Sequence, residues 1–165
     1  MKLIFVREPS LYGKVISLVD GGPWTHVGII DGEEVIEAVI NAGVRIRRLD
    51  SLIRDRPLYQ IIEIDFGDTE EGRRAEAEAI AWVRSQEDKP YDVWGVWGVG
   101  FGRNWEDDSK WFCSELVCET LVKAGKEFPG HIVSIGVRDC YLTACLWGKI
   151  IDGVNPFTGE KLSLA

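Results

Sequence analysis

One stretch constrains the fold of this chain more than any other. It reads His26-Val-Gly-Ile-Ile30, then Asp31-Gly32, then Glu33-Glu-Val-Ile-Glu-Ala38. Two apolar, β-branched runs separated by Asp-Gly predict a hairpin, because both turn residues tolerate the positive φ that a tight type I′ turn demands. With Asp31 and Gly32 at the centre of the turn, Ile30 faces Glu33 and, counting back, His26 faces Glu37. Side chains so placed share one face of the sheet, with Cβ atoms about 4.5–5.5 Å apart. A one-residue bulge would send them to opposite faces. The hairpin therefore predicts both an antiparallel sheet and an imidazole set against a carboxylate.

The remaining signals place helices beside that sheet. Residues 2–6 (KLIFV), Val44-Arg-Ile46 and Tyr59 to Asp65 have the character of strands, and Ser10 to Val19 carries apolar residues at helical spacing. Asp20-Gly-Gly-Pro23 is a turn. A helix is expected after Asp68 as its cap, with Glu71 as capping-box partner and Ala75, Ala79, Trp82 and Val83 as its apolar stripe, ending at Lys89-Pro90. Residues 91–110 are a loop rich in Trp and Gly, and a second helix runs from near Phe112 to Ala124, with Gly125 as its stop. Weaker signals give a short helix within 133–146, a strand at Lys149-Ile-Ile151 and a polar tail after Pro156. No repeat or low-complexity linker divides the chain, so its 165 residues are expected to form one α+β domain.

Composition narrows the partners. With 45% apolar and 28% charged residues the chain is neither a disordered tail nor a coiled coil. Its 19 basic and 27 acidic residues leave a net charge of −8, a field that repels nucleic acid and anionic bilayers. The densest basic run, Arg45-Ile-Arg47-Arg48, is followed at once by Asp50. The N-terminal apolar run, Leu3 to Val6, is shorter than the ~7–15 residues of a secretory signal. No stretch approaches the ~18–20 apolar residues of a membrane span. The expectation is a protein made in the cytoplasm, with no integral membrane contact and four free thiols, Cys113, Cys118, Cys140 and Cys145.

Few residues can do chemistry at neutral pH. The histidines are His26 and His131, and His131 follows Pro129-Gly130 in a loop expected at the surface. His26 has two readings: a core histidine satisfied by Glu37, or a general base whose tautomer a carboxylate fixes. Cys113 also has two readings. It is a small buried hydrophobe, or a nucleophile at a helix N-terminus, where the helix dipole favours the thiolate and backbone N–H groups face an oxyanion. Cys118, mid-helix, reads as core, and Cys140 and Cys145 read as structural.

Metal and nucleotide chemistry fit poorly. One Cys, one His and one Glu lack the helical His-x3-His context of zinc hydrolases, and there is no CxxC, so no metal or other cofactor is expected. Gly95, Gly98, Gly100 and Gly102 match neither GxGxxG before a helix nor a Walker A pattern. Trp94, Trp97, Trp105 and Trp111 are core by default, with one or two available to line a substrate groove.

Three segments in order carry a resemblance: Trp24-Thr-His-Val-Gly-Ile-Ile30, Val35-Ile-Glu-Ala38, and Phe112-Cys-Ser-Glu-Leu-Val117. Over about residues 1–125 the chain resembles the circularly permuted NlpC-type branch of the papain-like hydrolases, which also holds the lecithin:retinol acyltransferase-like proteins. The resemblance implies an antiparallel half-barrel packed against the helix that carries the nucleophile. It implies Cys113 as nucleophile, His26 as base and Glu37 as the third polar residue. Lys89-Pro-Tyr91-Asp looks like the family's tyrosine segment, which makes Tyr91, with Trp111, a candidate for the oxyanion and substrate side. Beyond about residue 125 no family motif carries over.

What the resemblance implies is a cysteine hydrolase of an amide bond in a small peptide or amide, plausibly a cell-wall peptide. Two alternatives share the scaffold: a thiol acyltransferase or lipid esterase acting on an acyl substrate, and a non-catalytic binding module. A wall substrate lies outside the cytoplasm, so that reading also needs delivery by a phage or a secretion system.

Overall fold

The computed structural model describes residues 1–8, 13, 18, 20–91, 112–128 and 135–162. Strands β1 (Lys2–Val6), β2 (His26–Asp31), β3 (Glu34–Val39), β4 (Gly43–Arg48), β5 (Tyr59–Ile64) and β6 (Gly148–Gly153) form one sheet in the order β4-β3-β2-β1-β5-β6. Every neighbouring pair is antiparallel. Helices α1 (Leu49–Asp55), α2 (Glu70–Arg84), α3 (Cys113–Lys123) and α4 (Val137–Trp147) complete the α+β architecture that the sequence predicts. Among the described residues no helix is long and apolar enough to cross a membrane. The helix expected over Ser10 to Val19, the Trp-rich loop with Trp111, and His131 fall mostly or wholly outside the described residues.

The sheet is covered on both faces. Leu3 and Phe5 of β1, Val27 and Ile29 of β2, and Ile36 and Ala38 of β3 pack under α2 and α3. Ile4, Val6, Ile30, Val35 and Ile61 pack around Leu52 of α1 on the other side. Burial on both faces explains why the strands read as continuous apolar runs instead of alternating ones. A side chain buried as fully as Leu52 contributes about 1.5–3 kcal/mol. Helix α1 was not foreseen, because seven residues with one buried position leave no periodic signal.

The hairpin forms with a different turn. Ile30 faces Val35 and Asp31 faces Glu34, so the turn centres on Gly32 and Glu33. Gly32 has φ +60° and Glu33 has negative φ, the pattern of a type II′ turn and not of type I′. The longer ladder sets Asp31 and Glu34 side by side, where both accept from Arg84 of α2, at 2.6 and 2.7 Å. A two-residue slide keeps every side chain on its original face. Glu37 now stands beside Gly28, where a Cβ would lie 3.4 Å from that of Glu37, two residues along the strand from His26.

Helix α2 starts one residue later than expected. Its cap is Thr69, whose Oγ1 accepts from the Gly72 N–H at 3.0 Å, while Asp68 instead pairs with Arg73. The helix ends at Arg84, several residues before Pro90, and a chain of turns follows. There the Val44 N–H donates to the Lys89 carbonyl at 2.8 Å and the Asp88 N–H to the Val44 carbonyl at 2.9 Å. Those bonds stitch residues 88–89 to β4 and deliver Tyr91 to the site. Gly43 permits the approach: it has φ +68°, and a Cβ on it would lie 2.2 Å from the Lys89 oxygen.

Candidate active site

Helix α3 presents its thiol at the first turn. Phe112 is extended, with φ −87° and ψ 153°, and its N–H donates to the Glu115 carboxylate at 3.2 Å, so the helix begins at Cys113. Leu116, Val117 and Leu121 bury the helix against the sheet, and the Ser114 hydroxyl donates to the Ile135 carbonyl at 2.7 Å. The tip is thus anchored from both sides. Cys113 is 1% exposed and forms no disulfide.

The hairpin brings the imidazole to that thiol. His26 Nε2 donates to Glu37 Oε2 at 2.7 Å, and Cys113 lines the same cleft as the ring. With Nε2 occupied, Nδ1 is the nitrogen left for the thiol. Burial alone would depress His26, but the bonds and charges of Cys113 and Glu37 overcome it and raise the ring to about 10. Burial would likewise raise Glu37. The His26 ring, followed by Arg45, overcomes that and brings the carboxyl down to about 2. Glu37 has no exposed surface at all, and it lies directly across from Arg45 in the β3–β4 ladder.

A cleft of about 270 Å³ opens over this line of groups. Ala38, Val39 and Ile40 give it an apolar wall, and Arg45, Tyr91 and Cys113 line it. Tyr91 is 8% exposed and packs edge-on against Phe112, with ring centroids 5.9 Å apart. A larger hollow of about 830 Å³ lies elsewhere, lined by Met1, Glu63, Asp65, Glu76 and Trp147 among others, and contains none of these groups. The candidate groups are therefore gathered at the smaller cleft.

Of the residues singled out in the sequence, the structure brings Cys113, His26, Glu37 and Tyr91 together, and Trp111 lies outside the described residues. Cys118 and Cys140 are buried, and burial with their mutual contact pushes the Cys118 thiol well up. Cys145 departs from its structural reading, since it is exposed on α4. Arg45 was missed as a site residue. It stood in the sequence as part of a basic run, and only the β3–β4 register sets it against Glu37.

Fold and site together define a papain-like protein in which the imidazole strand precedes the thiol helix along the chain. The family model of the permuted papain-like amidases of the YaeF/YiiX, C92 family matches residues 2–130, and the chain belongs to that family. Among solved structures it is similar in fold to the metalloprotein yiiX from Escherichia coli O157:H7, with a TM-score of 0.56 and 24% identity over 75% of this chain. The likeness covers 64% of that protein, so this chain spans less than two thirds of its neighbour's length. No curated protein matches the sequence. Among the described residues, no group of three or more His, Cys, Asp or Glu side chains is arranged to hold a metal ion.

Proposed function

We propose that the protein is a cysteine hydrolase of amide bonds, with Cys113 as nucleophile, His26 as base and acid, and Glu37 as the group that orients the ring. One observation carries the reading. The His26 ring donates to a fully buried carboxylate and shares with Cys113 a cleft at a helix tip. A mere core histidine needs neither the thiol nor the cleft.

The proposed reaction follows from that geometry. The thiol proton passes to His26, and the sulfur attacks the substrate carbonyl, forming a C–S bond and an oxyanion. The first-turn N–H groups of α3 and the Tyr91 hydroxyl stabilise that charge. The oxyanion collapses, the C–N bond breaks, and His26 hands its proton to the leaving amine. Water then attacks the thioester carbon, giving its proton to His26, and collapse releases the acid and restores the thiol. The cleft volume suits the acyl part of a small peptide or amide, and a cell-wall peptide is the substrate class we favour.

The test is alkylation with iodoacetamide at pH 6, read by mass spectrometry, beside a panel of peptide amides and muropeptides. Cys113 is expected to be modified ahead of Cys118, Cys140 and Cys145, and Cys113→Ala to lose all turnover while keeping its circular dichroism spectrum. Alkylation at Cys113 only after unfolding, or turnover by Cys113→Ala, overturns the assignment. Delivery of the acyl group to an alcohol or amine in place of water would move the protein to the acyltransferase side of the branch.

A further inference from the structure

We propose that Arg45 is a positioning residue that fixes the Glu37 carboxylate, and through it the His26 ring, for Cys113. The inference rests on the catalytic reading above and extends it by a fourth member. Arg45 donates from Nε and Nη2 to one carboxylate oxygen, Glu37 Oε1, at 3.0 and 2.7 Å. The other oxygen, Oε2, is left to accept from His26 Nε2 at 2.7 Å. The two oxygens are thus divided between two donors. A fork closed on one oxygen stops the carboxylate from turning, and the carboxylate then holds the ring plane.

The neighbouring charges leave this task to Arg45. Arg47, also on β4, reaches within 4.0 Å of Oε1, but its Nη2 donates to Ser51 and Asp55 of α1. Across the cleft Arg56 pairs with Glu8. From α3 Cys113 shares the cleft with the ring, and Tyr91 lines the same space. Among the described residues, His26 and Arg45 are the donors hydrogen-bonded to Glu37.

The physical consequence concerns where a proton sits. A buried imidazolium–carboxylate pair is costly to desolvate, and moving the proton from ring to carboxylate would neutralise both partners. A second cation on the carboxylate opposes that transfer. Arg45 therefore keeps Glu37 anionic and the proton on His26 Nε2, with Nδ1 turned to the thiol. A neutral ring would give a thiolate no counter-charge.

The experiment measures the alkylation rate of Cys113 by iodoacetamide from pH 5 to 9 in the wild type, Arg45→Lys and Arg45→Ala, with Tm and circular dichroism as controls of folding. Relative to the rate at pH 9, the rate at pH 6 is expected to fall roughly threefold to tenfold in Arg45→Ala, because a carboxylate that has lost its neighbouring cation, at an effective dielectric near 20, takes more of the ring's proton. Arg45→Lys keeps the charge and loses the fork, so it falls between. In a Glu37→Gln background the Arg45→Ala effect is expected to vanish, because the arginine acts through the carboxylate.

A folded Arg45→Ala with the wild-type ratio overturns the proposal. So does an undiminished effect in the Glu37→Gln background, which would mean that Arg45 acts on the thiol directly. A raised KM with an unmoved pH profile would make Arg45 a substrate anchor and equally end the proposal. If Arg45→Ala does not fold, Arg45→Gln carries the same comparison. Absence of preferential Cys113 labelling in the wild type is a separate result: it removes the catalytic reading, and the positioning role falls with it.

Discussion

Replacing Glu37 by glutamine probes the site without changing its shape. In the folded protein the carboxyl sits at about 2 against an ordinary 4.5, because the His26 and Arg45 bonds outweigh burial. A group whose folded value lies below its unfolded one contributes stability above the unfolded value and loses it as pH falls through the folded one. The ionised Glu37 therefore stabilises the fold above pH 4.5, and the contribution disappears between pH 4.5 and about 2. That interval corresponds to about 3 kcal/mol. The raised His26 and the lowered Glu37 describe one shared ion pair, so the amount is counted once. Urea unfolding at pH 7 is expected to find Glu37→Gln less stable by about 3–5 kcal/mol, since Arg45 and His26 are left short of an anion. Repeated toward pH 2, the difference narrows by about 3 kcal/mol, because the wild type loses what the variant never had. A stability gap that stays constant between pH 5 and pH 2 would refute the reasoning.

At the alkaline side the sign reverses. His26 is raised from 6.5 to about 10, so its contribution is full below pH 6.5 and lost as pH climbs through 10; wild-type Tm is expected to fall over that window and His26→Gln to flatten the fall. Gly43→Ala would force a Cβ into the Lys89 carbonyl at positive φ, and an expected loss of about 1–3 kcal/mol in denaturant unfolding should come with shifted amide resonances at Val44, Asp88 and Tyr91.

The placement of the candidate residues was legible in the sequence because they lie where local rules hold. A thiol just after Phe112 and three residues before an apolar helical face could be placed at a helix start, and the structure begins α3 at that residue. His26 and Glu37 shared a face in the expected hairpin and share one in the observed hairpin, although the turn moved. The slide was by two residues, and parity survives such a slide. What was not legible depended on partners distant in the chain. The turn moved where Asp31 and Glu34 met Arg84 of α2, contacts between residues 53 and 50 positions apart in the chain. Thr69 and Asp68 are both good caps, and pairing of Asp68 with Arg73 left the task to Thr69. Arg45 read as one of several surface charges until the β3–β4 pairing gave it a buried neighbour.

Chain order bears on how the site is made. His26, Glu37 and Arg45 lie on consecutive strands of one meander, while Cys113 arrives only after β5 and α2. Contacts between neighbours in sequence close fastest, and a chain leaving the ribosome offers its N-terminal part first. The charge-bearing half of the centre can therefore assemble while the sulfur is still unsynthesised. The last component docks onto a finished receptor, and until it does the nascent protein holds only part of the candidate site.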